Sequence, residues 1–296
     1  MKNAVQSGNR WIIGARPRTL PAAVVPVAVG AACAAGLAHP YWWRAALSLV
    51  VSLALQVGVN YANDYSDGIR GTDSVRVGPI RLVASGLAPA RAVKRAAFTA
   101  FGVAAAAGLI LAMVTSWWLL VVGAAALSAA WFYTGGPKPY GYLGLGEVFV
   151  FVFFGLVATV GTTFVVAERI TALSIVIGSG VGALACALLV INNLRDIPTD
   201  REVGKKTLAV RLGDARTRWL YAAMISIAFI AAGIGAAVWR PWTALAAVAL
   251  PIAAVPVRRV LRGAVGRELI GVLGETGRLQ MAYGVLAAVG LIIGRW

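Results

Sequence analysis

Residues 42–73 read WWRAALSLVVSLALQVGVNYANDYSDGIRGTD. The opening part, 42–62, is a charge-poor apolar run of the length a helix needs to cross a bilayer, about 20 residues. It then meets Asn60, Asn63, Asp64, Asp67 and, past Gly71, Asp73. Asn60 and Asp64 are four apart, and Asp64 and Asp67 three apart. They share one face if the helix continues beyond the membrane edge. Residues 192–207, NNLRDIPTDREVGKKT, repeat the pattern after a second apolar run at 170–192. Asn192, Asp196 and Asp200 step by four, although Pro198 is a point where that helix is expected to end or kink.

Composition sets the frame for these two blocks. Of 296 residues, 60% are hydrophobic and 13% charged, with a net charge of +16, and mean hydropathy is +0.81. Soluble domains carry about 25% charged residues. An ordinary soluble protein, a disordered basic chain and a nucleic-acid-binding module are excluded; a polytopic membrane protein fits. Charge-poor runs at 20–38, 42–62, 96–115, 117–135, 143–166, 170–192, 219–238, 241–257 and 279–294 predict nine transmembrane helices in one transmembrane domain over 1–296. The eighth run holds Pro251 and Pro256, and the ninth is short unless its helix starts near Leu269. With the N-terminus in the cytoplasm, 23 of the 27 Lys and Arg residues fall on the cytoplasmic side, as the positive-inside rule requires. Nine of the ten tryptophans fall at span ends, the interfacial position such residues favour. The expected protein is multi-pass in the cell (inner or plasma) membrane, with the N-terminus inside and the C-terminus outside. The first 19 residues lack an apolar core, so the first span is expected to double as the targeting signal. Cys33 and Cys186 lie inside spans and read as packing residues, and His39 reads as a loop residue.

The chain has only eleven acids, and six of them lie in the two Asn/Asp blocks. Four spans separate the blocks, so both leave the membrane on the same, cytoplasmic face. Solvated juxtamembrane charge accounts for the neighbouring Arg and Lys but not for the acids, because topology asks for no Asp. Two facing rows of carboxylates repel unless a cation lies between them. Hard oxygen donors suit Mg²⁺, which binds through a few carboxylates plus substrate phosphates. Arg70, Arg76, Arg81, Arg195, Arg201, Lys205 and Lys206 are the cations a diphosphate needs. A third block, 133–147, is rich in Gly and Pro; Lys138, Tyr140 and Glu147 are expected to close over the same site. An ion-coupled transporter is the competing class, but transporter sites lie near the midplane on broken helices.

These motifs resemble the UbiA superfamily of intramembrane aromatic prenyltransferases, in which Asp-rich motifs lie on the second and sixth helices. The blocks fit N-x-x-x-D-x-x-D and D-x-x-x-D. Arg16-Pro17-Arg18-Thr19-Leu20-Pro21, Gly136-Pro137 with Gly144-Leu145-Gly146-Glu147, and Gly204-Lys205-x-Thr207-Leu208 are similar to the branch acting on 1,4-dihydroxy-2-naphthoate. The resemblance implies nine helices around a central cavity open to the cytoplasm, with a polyprenyl diphosphate donor and a naphthoate acceptor losing CO₂. 4-Hydroxybenzoate or another acceptor is the alternative within the superfamily. It implies that Asp64, Asp67, Asp196, Asp200 and Lys138 are catalytic. Asn60, Asn192 and the four aspartates would hold Mg²⁺. Asn63, Arg70, Asp73, Arg76, Lys138 and Lys205 would lie at the diphosphate. Arg16, Arg18, Tyr133, Tyr140 and Arg195 would lie at the acceptor, with the choice among the three arginines for its carboxylate open.

Overall fold

A computed structural model describes residues 9–71 and 80–294. Asp73 and Arg76 lie outside the described residues. The chain forms α1 (Asn9–Ala15), α2 (Pro21–Ala34), α3 (Trp42–Arg70), α4 (Ala90–Val114) and α5 (Trp118–Phe132). There follow α6 (Gly146–Val150) and α7 (Ala158–Ala167), joined by π-helical turns at Phe151–Val157. The last elements are α8 (Ala172–Glu202), α9 (Leu208–Val238), α10 (Leu250–Leu261), reached through a 3₁₀ stretch at Pro241–Ala249, and α11 (Glu268–Ile293). All regular structure among the described residues is helical.

Among the described residues seven helices are long and apolar enough to cross a membrane, and an eighth if Arg10–Thr19 and Pro21–Ala34, bent by 51°, count as one span. The expected nine is not reached on length: α5 has 15 residues, about 22 Å at about 1.5 Å per residue. The bend before α2 has a local cause. Arg16 sits in the left-handed region at φ 52°, and Pro17 follows, fixing the next turn. The two doubtful spans resolve clearly. Pro241–Leu261 continues for 21 residues, and α11 starts at Glu268 and runs for 26.

The acidic ends are both helical. α3 runs unbroken to Arg70, and Gly71 closes it at φ 71°, a conformation that favours glycine. α8 passes through Pro198 and still carries Asp200. It is also the most enclosed helix: 78% of its apolar window is buried, against 28–50% in the other six. Small residues let the π-helical turns reach α8. A Cβ on Gly155 would lie 2.5 Å from Gly182 Cα, and one on Gly182 would lie 2.9 Å from Gly155 Cα. Backbone-to-backbone contact of this kind drives helix association in lipid, where hydrophobicity does not. The same π turns make this contact through Gly155 and line the central cavity with Phe153 and Phe154.

At the opposite end from the acids, Arg240 holds two helix C-termini. It donates to the carbonyls of Ala32, Cys33 and Ala35 at the end of α2, and to Leu291 near the end of α11. Carbonyls of a last helical turn run short of intrahelical donors; of these four, Ala32 also accepts the Ala35 N–H at 3.1 Å. Gly290 allows the approach, since a Cβ there would lie 2.0 Å from the Trp242 carbonyl oxygen. Gly290→Ala should therefore destabilise the protein by about 1–3 kcal/mol, lowering its unfolding midpoint in detergent. Gly233→Ala, where a Cβ meets nothing within 4 Å, should leave that midpoint unchanged or raise it.

Candidate functional site

The buried face of α3 carries Gln56, Asn60, Asn63, Asp64 and Asp67, and α8 ends in Arg195, Asp196 and Asp200, also buried. Both ends open on one cavity of about 910 Å³. Its polar end is lined by Arg16, Arg18, Asn60, Asn63, Asp67, Arg81, Asn192, Asn193, Asp196, Asp200 and Lys205. The cavity continues between apolar walls to Leu109 and Leu111 of α4 and to Leu119 and Leu120 of α5.

The two motifs meet across Lys205. Its Nζ lies 3.4 Å from Asp67 Oδ1 and 4.0 Å from Asp200 Oδ1. Arg81 approaches Asp67 Oδ2 at 3.9 Å, and the Tyr142 hydroxyl donates to Asp67 Oδ1 at 2.6 Å. Asp196 accepts two bonds from Arg195, at 2.7 and 2.9 Å. Asn60 donates to the Ala15 carbonyl and to Thr19 Oγ1, and receives a bond from Gln56. This fixes the amide against the α1–α2 bend.

Asp64 is placed differently. It is fully buried and does not line the cavity. Its two oxygens accept the backbone N–H groups of Val83 and Leu82, at 3.0 and 2.8 Å. It thus anchors the segment carrying Arg81. Arg195 is bound to Asp196 and is likewise off the cavity wall, so of the three arginines expected at an acceptor only Arg16 and Arg18 face the cavity. Lys138 is exposed and Arg70 points elsewhere: its guanidinium donates to the carbonyls of Thr134 and Gly136.

Arg70 instead fastens the Gly/Pro loop down over the site. Thr134 Oγ1 donates to Asn63 Oδ1 at 2.8 Å, and the Lys206 N–H donates to the Tyr142 carbonyl at 2.9 Å. Tyr133 and Tyr140 line the cavity and begin an aromatic ladder. Ring centroids are 5.5 Å apart for Tyr133–Tyr140, 4.0 Å for Tyr140–Phe149 and 6.1 Å for Phe149–Phe153. Burial holds the Tyr133 hydroxyl well above the usual tyrosine range, and the nearby carboxylates of Glu147, Asp67 and Asp200 add to it. Burial does the same for Tyr140. Both stay neutral hydrogen-bonding groups. Behind them Glu147 accepts from Asn193 Nδ2 at 2.9 Å.

Tyr142, Gln56, Thr19, Phe149 and Phe153 carry contacts that the spacing of charged residues does not reveal. The density of tyrosines in the Gly/Pro loop is the one signal that marks Tyr142.

Among the described residues no three His, Cys, Asp or Glu side chains form a ready group for a metal ion. The donor chemistry nevertheless suits a hard cation. Asp67 and Asp200, with Asn60 and Asn192, are oxygen donors around one space, and a single ammonium now lies between the two carboxylates. A hexacoordinate Mg²⁺ needs only one or two protein carboxylates, the rest being water and phosphate oxygen.

Comparison with known proteins places the chain in a family. The chain is 50% identical over 286 residues to 1,4-dihydroxy-2-naphthoate octaprenyltransferase of Mycobacterium tuberculosis, covering 97% of this chain and 98% of the relative. It is 33% identical to the Escherichia coli protein of the same name, covering 97% and 96%. A UbiA homologue from Aeropyrum pernix superposes with a TM-score of 0.69 at 16% identity, over 92% of this chain and 97% of the other. A UbiA homologue from Archaeoglobus fulgidus, solved with GPP and Mg²⁺, gives 0.67 at 15% identity over 95% and 99%. Residues 23–268 match the UbiA prenyltransferase family, and the chain, a multi-pass helical membrane protein, belongs to that family.

Proposed function

We propose that the protein transfers a polyprenyl group from polyprenyl diphosphate to 1,4-dihydroxy-2-naphthoate, releasing diphosphate and CO₂ and giving demethylmenaquinol for menaquinone synthesis. The observation that supports this most directly is the pairing of Asp67 and Asp200 at the polar end of a long apolar cavity. An anionic head and an isoprenoid tail need such a space. The names of the relatives support the naphthoate acceptor. The reading includes one transmembrane domain over 1–296 with nine crossings, α5 serving as the short one. The cavity mouth and N-terminus lie in the cytoplasm and the C-terminus outside, in the cell membrane.

Asn60, Asp67, Asn192, Asp196 and Asp200 would hold Mg²⁺, which when bound neutralises the diphosphate oxygens and eases departure of the leaving group. The chain's own cations supply the remaining charge. Arg81 and Lys205 stand at Asp67 and Asp200 and would turn to the departing diphosphate; Asn63 borders it. Asp64 would act by holding the Leu82–Val83 backbone, and so Arg81, in place. Arg70 would act through the loop it clamps, bringing Tyr133 and Tyr140 to the acceptor. The aromatic ladder would hold the naphthoate plane between the carbocation and the loop. The allylic C–O bond breaks, the ring takes up the prenyl carbon, and the ring carboxylate leaves as CO₂. Of the two arginines that face the cavity, Arg16, beside Asn60, would hold that carboxylate, with Arg18 next to it.

The test is an assay of purified protein with labelled polyprenyl diphosphate and either 1,4-dihydroxy-2-naphthoate or 4-hydroxybenzoate, with and without Mg²⁺. Prenylation of the naphthoate alone, and only with Mg²⁺, is expected. Asp64→Ala, Asp67→Ala and Asp196→Ala should each abolish it in normally inserted protein; full activity in Asp67→Ala or Asp196→Ala overturns the site. Arg16→Gln should raise KM for the acceptor by roughly 10- to 100-fold, the worth of a charged hydrogen bond, about 1.5–3 kcal/mol, with a smaller change in KM for the donor. Tyr133→Phe should lower kcat without altering the pH profile over about pH 6 to 9, because the hydroxyl it removes does not ionise there.

A further inference from the structure

A second recess lies outside the cavity, at the acidic-motif end of the helices. It is a groove of about 580 Å³ between α1, α3 and the first turns of α4, lined by Trp11, Tyr61, Pro89, Arg91, Ala92, Arg95, Ala96 and Thr99. Its geometry is amphipathic. Arg91, Arg95 and Thr99 step by four along α4, so they form one edge running down the helix for about 12 Å at about 1.5 Å per residue. Ala92 and Ala96 make an apolar floor beside them. The facing wall is the Trp11 indole, packed edge-on against Tyr61 at 5.9 Å.

The charge in this groove is of one sign. Both charged lining residues are arginines, and both are exposed. A third guanidinium, that of Arg10, lies 5.4 Å from the Trp11 ring centroid. It donates one bond, to the Leu87 carbonyl, while its Nε is buried without a partner. Among the described residues Arg91 and Arg95 form no ion pair. Lys94, between them in sequence, points to another face and lies over Tyr65, Phe98 and Trp131. Topology alone asks for cations at this end of the chain; it does not ask for two of them at the rim of an aromatic-walled recess that runs toward the membrane interior.

We propose that this groove binds an anionic phospholipid. Its phosphodiester headgroup would sit between Arg91 and Arg95, and an acyl chain would lie along Ala92 and Ala96 against Trp11. Cations at the headgroup level attract anionic lipid, and an indole at the interface suits the boundary between head and chain. The occupant would brace α1. The Tyr61 hydroxyl donates to the Trp11 carbonyl at 2.7 Å, and the neighbouring Asn60 donates to the Ala15 carbonyl at 2.8 Å.

The experiment is lipid retention by the full chain in detergent, read by native mass spectrometry after equal exposure to phosphatidylglycerol or phosphatidylcholine. The wild type should retain one phosphatidylglycerol that phosphatidylcholine does not replace. Arg91→Gln with Arg95→Gln should cut that retention at least fivefold, while Arg258→Gln with Arg262→Gln, two exposed arginines of the same topological side, should not. Ala96→Trp fills the floor with every charge kept and should cut retention equally; it decides the matter if the double variant fails to fold. Unchanged phosphatidylglycerol retention in either groove variant overturns the proposal, as does equal retention of phosphatidylcholine or equal loss in the Arg258/Arg262 control.

Discussion

Asp67 and Asp200 come from helices far apart in sequence and stand on either side of one ammonium, that of Lys205. Two carboxylates facing each other at low dielectric repel strongly, and removing one member of a buried ionic set leaves the others uncompensated. The surrounding contacts follow from this constraint. Arg81 approaches Asp67, Tyr142 donates to it, and Arg195 is bound to Asp196. Asp64, one turn before Asp67, holds the backbone that carries Arg81. The loop between α5 and α6 is drawn down because Tyr142 and Thr134 complete the bonds of Asp67 and Asn63. The site is therefore a charge balance built from four separate segments.

Packing of small residues keeps the rest of the space open. Gly155 and Gly182 bring the π-helical turns onto α8 so closely that no side chain fits between them. On the cavity side the opposite holds: a Cβ on Gly108, Gly123 or Gly161 meets nothing within 4 Å. Glycine thus serves contact at one face and vacancy at the other. The apolar tail of the cavity lies along α4 and α5, and α5 is thinly supported, with Leu120 and Val121 exposed.

Much of this is legible in the amino-acid sequence alone. Helical spacing alone put Asn60, Asp64 and Asp67 on one face, and the parity of the spans put both acidic blocks at one end. Other features were hidden for definite reasons. The apolar run covers only the second half of α11, and the start near Leu269 that its length calls for is real because polar residues of the first half find partners inside the protein. Glu275 pairs with Arg259 at 2.5 Å, and Thr276 bonds with Tyr221 at 2.7 Å. Spacing puts Asp64 on the face of Asp67 but does not see what lies against it: Leu82 and Val83, apolar in side chain, offer Asp64 their backbone N–H groups. Arg195 faced the same difficulty. Its neighbour Asp196 binds it, and sequence distance carries no information on which of three arginines points inward.

The short helix α5 has a consequence for the membrane itself. Fifteen residues cover about 22 Å, against a hydrocarbon core of about 30 Å. Trp117 and Trp118, 63% and 77% exposed, mark one end. If α5 is the short ninth crossing proposed above, lipid beside it must thin to meet the helix or leave its ends below the interface. On that reading, thinning would fall beside the wall that α5 gives the apolar part of the cavity. The protein would then shape its solvent at the flank where Leu120 and Val121 lie exposed.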